Sequence, residues 1–261
     1  MSSRPTSLAQ LAGSGLLSGA AAQQRAIAML PAFEELLPQA VMQCGSVVEC
    51  AGSAAVSLAL ALAAGPSLAG AWMGVAGLPH VGVAAAVELG VAPERLVMVT
   101  EPTQPFDDGQ WAEVLAAMID GFDVLLLGPG AHAVKAVTAR RLVARLQSRG
   151  AVLLSVSGTS SGGTSGVFGA DLRFEATDAV WQGLGDGHGV ARGRRASVQL
   201  SGRRVPRPRR AEMWLPTADG AVEAVVSIAV AAPSTDTAPS TDTAPSTDTA
   251  PSTAPALRRT G

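Results

Sequence analysis

Residues 46–60 combine an apolar strand, a turn of small residues and an apolar helix, which is the context of a phosphate-binding loop. That loop has the pattern Gly-x-x-x-x-Gly-Lys-Ser/Thr, in which backbone N–H groups surround the phosphates and the lysine contacts the terminal ones. Val56 and Ser57 occupy the Gly-Lys positions, and the single lysine, Lys135, lies far along the chain. We therefore expect a loop that has lost its hydrolytic residue. The residues that could still hold an anion at the helix start are Gly52, Ser53 and Ser57.

A second candidate for chemistry is a run of arginines between Gly187 and Ala211, where no acidic residue occurs. The guanidinium is a planar fork that suits phosphates and carboxylates alike. Pro206 and Pro208 indicate an extended, exposed segment. The run is consistent with contact to a DNA backbone, with a docking site for an acidic partner, or with a solvated hairpin. The arginines are Arg192, Arg194, Arg195, Arg203, Arg204, Arg207, Arg209 and Arg210.

The elements that would position these residues alternate regularly from residue 46 onward. The predicted strands are continuous apolar runs, typical of strands covered on both faces. Alternating strands and helices predict an α/β fold with a mostly parallel sheet and helices on both faces. Strands are predicted at residues 46–50, 70–75, 95–100, 123–127 and 151–156. Helices are predicted at residues 54–64, 79–89, 107–120 and 134–149.

The regular alternation of strands and helices stops at both ends of this series. A Gly/Ser/Thr loop at residues 159–166 precedes short alternating runs, which predict C-terminal antiparallel hairpins on the sheet edge. These runs cover residues 171–175, 179–184, 196–200 and 211–215. We expect residues 1–30 to form a helical arm and residues 31–230 to form one domain. Residues 231–261 repeat Pro-Ser-Thr-Asp-Thr-Ala, which predicts a disordered low-complexity tail.

The composition restricts the classes of function. A net charge of −2 gives no global attraction to nucleic acid. The longest apolar stretch, residues 54–64, is too short to span a membrane and is interrupted by Ser57. Cys44 and Cys50 are the only cysteines and the histidines are scattered, so no zinc spacing exists. Two small buried thiols suit a reducing compartment. We therefore expect a cytoplasmic protein without metal, cofactor or membrane contact.

Three packing motifs carry a resemblance to a known family. They are Gly-Leu-Pro-His-Val-Gly-Val-Ala-Ala-Ala-Val-Glu-Leu-Gly at residues 77–90, Asp-Val-Leu-Leu-Leu-Gly at 123–128 and Arg-Gly-Ala-Val-Leu-Leu at 149–154. Together they resemble actinobacterial ImuA-type proteins, which are RecA-like accessory factors of damage-induced translesion synthesis. The resemblance covers about residues 30–215. It implies a RecA-like fold, a role in the SOS response, DNA repair and mutagenesis, and protein–protein interaction with an ImuB-like protein and an error-prone DNA polymerase. DNA, RecA and a second copy of the chain remain open as further partners.

The positions that carry hydrolysis in RecA-like ATPases depart from the pattern. Gly128 follows the strand that would end in a magnesium-orienting acid, and residues 107–110 offer only an approximate match to the catalytic glutamate. Asp107 and Asp108 also fit the start of a helix, where carboxylates cap N–H groups. The resemblance therefore implies a non-catalytic accessory or scaffold protein. Two alternatives stay open: a nucleotide-dependent DNA-repair ATPase that takes its lysine from another chain, and a SulA-like inhibitor of cell division.

Overall fold

A nine-stranded mixed sheet forms the centre of the computed structural model, which describes residues 26–101, 104–157, 166–185 and 188–225. A separate antiparallel pair joins β1 (Ala26–Ala28) to β2 (Val41–Gln43). The large sheet contains β3 (Val47–Gly52), β4 (Met73–Ala76), β5 (Leu96–Val99), β6 (Val124–Leu127), β7 (Val152–Val156), β8 (Leu172–Trp181), β9 (Arg194–Ser201), β10 (Arg209–Trp214) and β11 (Glu223–Ala224). Their order across the sheet is β11-β10-β9-β8-β3-β7-β6-β4-β5.

The pairing pattern divides the sheet into a parallel and an antiparallel part. Every pair from β8 through β3, β7, β6 and β4 to β5 is parallel, whereas β8, β9, β10 and β11 pair antiparallel. The strand that precedes the candidate loop, β3, lies in the middle between β7 and β8. This is a RecA-like arrangement, and it confirms the predicted mostly parallel α/β fold with C-terminal hairpins.

Helices cover both faces of the parallel part. Helices α1 (Ala55–Leu68) and α2 (Val83–Glu88) pack on one face, and α3 (Asp108–Gly121) and α4 (Ala136–Arg149) pack on the other. Strand residues alternate between the two cores, so Val48 faces α1 and Val47 faces the α3–α4 side. This double cover explains why β4 and β6 are apolar at every position and why β3 and β7 carry one polar residue each, Glu49 and Ser155. No helix of the described residues is long and apolar enough to cross a membrane.

The helices differ in how much of their surface is buried. Helix α1 consists mainly of alanine and leucine and is buried around almost its whole circumference. Helix α4 instead buries one stripe, with Ala139, Leu142 and Leu146 spaced for a single face. It ends at Gly150, whose φ of 78° is the left-handed conformation that glycine adopts at helix ends.

Two sequence predictions need correction. The helical arm predicted for residues 1–30 is wrong in its described part, because Ala26–Ala28 form a strand. The runs predicted at 171–175 and 179–184 are not two separate strands, because residues 172–181 form the single strand β8, which has a bulge between Thr177 and Val180. Residues 1–25 of the arm, the flexible-loop positions 159–165 and the predicted tail at 231–261 lie outside the described residues.

Strand β5 ends the sheet at its parallel edge. Within the described ranges no strand pairs with its outer side. Val97 and Met98 are both more than a third exposed and lie on opposite faces, because side chains alternate along a strand. The outer edge of the sheet is therefore apolar on both faces.

Candidate functional site

The loop after β3 is packed against the neighbouring strand β8. Gly52 has a φ of 90°, and a Cβ atom there would lie 2.0 Å from the carbonyl oxygen of Ala176. The next residue, Ser53, donates its backbone N–H to the same oxygen at 3.0 Å. The turn thus requires glycine both for its left-handed backbone and for the close approach of β8. The Ser53 amide is already used within the protein.

The same loop is short. Helix α1 starts at Ala55, so only Ser53 and Ala54 connect it to the end of β3. Ser57 lies in the first turn of the helix and is half-buried. Gly52 thus ends β3, Ser53 follows it, and Ser57 lies one helical turn further along the chain.

The loop after β6 is closed in a similar way. Gly128 donates its N–H to the carbonyl oxygen of Ala76 at 2.9 Å, and a Cβ atom at Gly128 would lie 1.9 Å from the carbonyl oxygen of Gly77. No side chain fits at this position while the two loops stay in contact. The acidic residue that would orient a metal at the end of β6 is therefore excluded by the backbone itself.

Asp107 and Asp108 accept backbone N–H groups at the starts of two helices. Asp107 caps α3: its Oδ1 accepts the Gln110 N–H at 2.8 Å, and the Gln110 side chain accepts the Asp107 N–H at 3.0 Å. Oδ1 of Asp108 accepts the N–H of Lys135, the residue before α4, at 2.7 Å. The capping interpretation of these carboxylates is confirmed.

The eight arginines do not form one patch. Arg203, Arg204, Arg207 and Arg209 lie in or beside the turn between β9 and β10, whereas Arg192 and Arg194 lie at the opposite end of β9. Arg195 and Arg210 project from the face of the β9–β10 pair opposite the core, where Arg195 contacts Glu212 at 3.3 Å and Arg210 contacts Asp178 at 3.3 Å. The arginines of the run therefore lie on three surfaces: the β9–β10 turn, the opposite end of β9, and the outer face of the β9–β10 pair.

Arg194 differs from the other arginines because it is partly buried. Its guanidinium carbon lies 5.1 Å from the ring centre of Trp181, and its Nε donates to the carbonyl oxygen of Leu215 at 2.9 Å. Burial lowers the pKa of the Arg194 guanidinium. This arginine stabilises the end of the hairpin, and it is the one least suited to contact a partner.

The turn arginines are fixed by a buried carboxylate. Asp171 contacts Arg203 at 3.0 Å and Arg204 at 3.4 Å, and it also accepts the Val47 N–H at 3.1 Å. Arg209 donates to the carbonyl oxygen of Leu36 at 3.3 Å. These bonds border a cleft of about 630 Å³ between residues 36–38 and the β9–β10 turn.

Sequence reasoning missed a buried ion pair on the central strand. Glu49 of β3 is almost fully buried, and its Oε1 contacts Nη1 of Arg173 on β8 at 2.8 Å. Its Oε2 has no hydrogen-bond partner among the described residues. The signal in the sequence was a single glutamate inside an otherwise apolar strand. Such a residue is seldom buried without a cationic partner.

Comparison with known proteins finds similarity over part of this chain. Residues 35–162 match the family model of the MT3502 N-terminal domain. A protein of Mycobacterium tuberculosis, the uncharacterized protein Rv3395c, is 34% identical over 156 residues, which are 58% of this chain and 71% of that protein. The matched family region includes the closed loops after β3 and β6, and it ends before the arginine turn.

Proposed function

Because this chain belongs to the MT3502 N-terminal domain family and keeps a RecA-like sheet with closed loops, we propose that it is a non-catalytic RecA-like accessory protein. Its function is to hold partner proteins rather than to turn over a nucleotide.

The observation that carries this proposal is the pair of glycine contacts at the two loops. Gly52 touches the backbone of β8, and Gly128 touches the backbone of Gly77. A phosphate-binding loop needs several unpaired N–H groups, and a metal needs an acidic side chain beside it. Closure at both places supports the absence of hydrolysis more strongly than the loss of one lysine, because another chain could supply a lysine but could not reopen both contacts.

Within this class we propose the role of an ImuA-type protein in DNA-damage-induced translesion synthesis and mutagenesis. Its partners would then be an ImuB-like protein and an error-prone DNA polymerase. Support comes from the resembling segment at residues 77–90, whose first residue is the Gly77 that packs against Gly128. Two residues of the resembling segments, Gly77 and Gly128, therefore take part in closing the loop after β6.

A turnover measurement tests the non-catalytic part. We expect the purified full chain to release no phosphate from ATP above background with magnesium and single-stranded DNA present. Ser57→Ala is the matched control, because Ser57 occupies the lysine position of the loop. Turnover that disappears in Ser57→Ala would contradict the proposal and favour the nucleotide-dependent alternative.

A genetic measurement tests the role in mutagenesis. Deletion of the gene should lower damage-induced mutation frequency to the level of a strain without the error-prone polymerase, and the tagged full chain should co-purify with an ImuB-like protein. Filamentation of cells that overproduce the chain, with unchanged mutation frequency in the deletion strain, would instead support the SulA-like alternative.

A further inference from the structure

The cleft beside the β9–β10 turn combines an apolar floor with a cationic rim. We propose that it binds an extended peptide of a partner protein in which an acidic residue stands next to a bulky apolar one. This inference rests on the proposed accessory function and deepens it, because it names the chemistry of the partner. The floor, the rim and the lack of a surface for bases all favour such a peptide.

The floor of the cleft is apolar. Leu172 of β8 and Leu200 of β9 line it but are almost fully buried. The accessible apolar surface comes from Pro38, Val205 and Pro206, of which Val205 also packs against the core below. A cleft of about 630 Å³ is within the range of cavities that hold small ligands, so it can accept bulky apolar side chains. Burial of such a side chain supplies the nonpolar part of the binding free energy.

The rim carries arginines that are held in place before any partner arrives. Arg204 contacts Asp171 and donates to the side-chain oxygen of Gln43 at 2.9 Å, and Arg209 donates to the backbone of Leu36. A fixed guanidinium loses little side-chain entropy when it binds a carboxylate. The described residues that line the cleft include no acidic side chain, and the Asp171 that contacts Arg204 lies outside this lining.

Arg207 is the rim residue with the most capacity for a new partner. It lies two residues before β10, is exposed, and makes no ion pair with any described residue. Its five N–H donors suit a bidentate contact with a carboxylate. An acidic residue placed beside an apolar anchor would therefore reach Arg207 while the anchor fills the floor.

The same features argue against nucleic acid as the occupant. A DNA backbone needs cations but no apolar floor, and single-stranded DNA needs aromatic side chains on which its bases stack. The described lining of the cleft contains no aromatic residue. A peptide matches both the floor and the rim, whereas a polynucleotide matches the rim alone.

Selection from a display library of random peptides against the full chain tests this inference. We expect the selected peptides to share an aspartate or glutamate within two positions of leucine, isoleucine, phenylalanine or tryptophan. Their affinity, measured by fluorescence anisotropy, should fall about tenfold when the acid is changed to its amide or the anchor to alanine. Selected peptides without this pattern, or no selection at all, would overturn the proposal.

Protein variants locate the binding. Arg207→Glu should weaken the selected peptides about tenfold, and Arg207→Lys should restore part of the affinity. Arg192→Glu is the matched control, because Arg192 is exposed at the far end of β9 and should leave binding unchanged. Equal binding by Arg207→Glu and the parent would overturn the proposal. So would a steep salt dependence with displacement by oligothymidylate, which would assign the cleft to DNA.

The two levels of the proposal can fail separately. If damage-induced mutagenesis does not depend on the chain but the peptides bind as expected, the cleft is a peptide-binding site and the translesion role is wrong. If mutagenesis depends on the chain and is unchanged in Arg207→Glu cells that no longer bind the peptide, the cleft does not serve that role.

Discussion

The parallel and antiparallel parts of the sheet use their polar groups in opposite ways. In the parallel part, the loops after β3 and β6 are held by backbone contacts through Gly52 and Gly128. In the antiparallel part, arginine side chains border an open cleft and an exposed face. The loops that could have held a phosphate and its metal are closed by backbone contacts. The arginines able to bind a partner lie on β9, on β10 and in the turn between them. The fold is thus separable from the site it carries.

The same contrast appears in two arginine–glutamate pairs. The Arg173–Glu49 pair joins β8 to the central strand, and the Glu49 side chain is 4% exposed. The Arg195–Glu212 pair joins β9 to β10, and its side chains are 48% and 37% exposed. The inner Arg173 is 25% exposed, so water screens the inner pair less than the outer one, and the inner pair should contribute more to stability.

The largest expected effect is at the loop after β3. Gly52→Ala should lower the free energy of unfolding by about 4 kcal/mol, because the new Cβ would overlap Ala176 and the left-handed backbone disfavours alanine. Chemical denaturation of the full chain measures this difference. A loss below about 1 kcal/mol would show that the loop can move away from β8. The loop after β3 would then not be closed, and the proposed difference between the parallel and antiparallel parts would be wrong.

Two glycine controls separate the causes. Gly169 has a φ of 65°, but a Cβ atom added there would meet nothing within 4 Å, so Gly169→Ala should show the backbone cost alone, about 1–2 kcal/mol. Gly121 in α3 has neither constraint, so Gly121→Ala should leave stability unchanged or raise it slightly.

The second effect concerns the inner ion pair. Arg173→Met should cost about 3 kcal/mol, because it leaves the Glu49 carboxylate buried without its cationic partner. Adding Glu49→Gln to that variant should recover part of the loss. The matched change Arg195→Met in the outer pair should cost less than about 1 kcal/mol. Equal losses at the two arginines would show that burial does not distinguish the pairs.

The smallest effect is at the helix cap. Asp107→Ala should cost about 1 kcal/mol, since it removes the side chain that accepts the Gln110 N–H at the start of α3. Asp107→Asn, which keeps an acceptor oxygen, should restore most of this stability. A thermal melt of the three proteins gives the answer, and a loss of several kcal/mol would point to a role beyond capping.

The sequence predicted the parallel part well because most of its strands are covered on both faces and therefore read as nearly unbroken apolar runs. It could not predict that Gly128 touches Gly77, because that contact joins loops distant in the chain. The arginine run was misleading for a related reason. Neighbours in a strand point to opposite faces, so Arg194 packs on Trp181 while Arg195 projects away. Asp171, which fixes two arginines of the turn, lies more than thirty residues earlier in the chain.

The outer strand β5 has consequences for handling the protein at high concentration. Its residues Leu96–Val99 include none of the lysines, prolines or inward charges that protect natural sheet edges from pairing with other chains. Such an edge favours slow association into extended sheets when concentrated samples are stored. Val97 is exposed at its centre, so a lysine placed there would act as a gatekeeper and extend the usable concentration range.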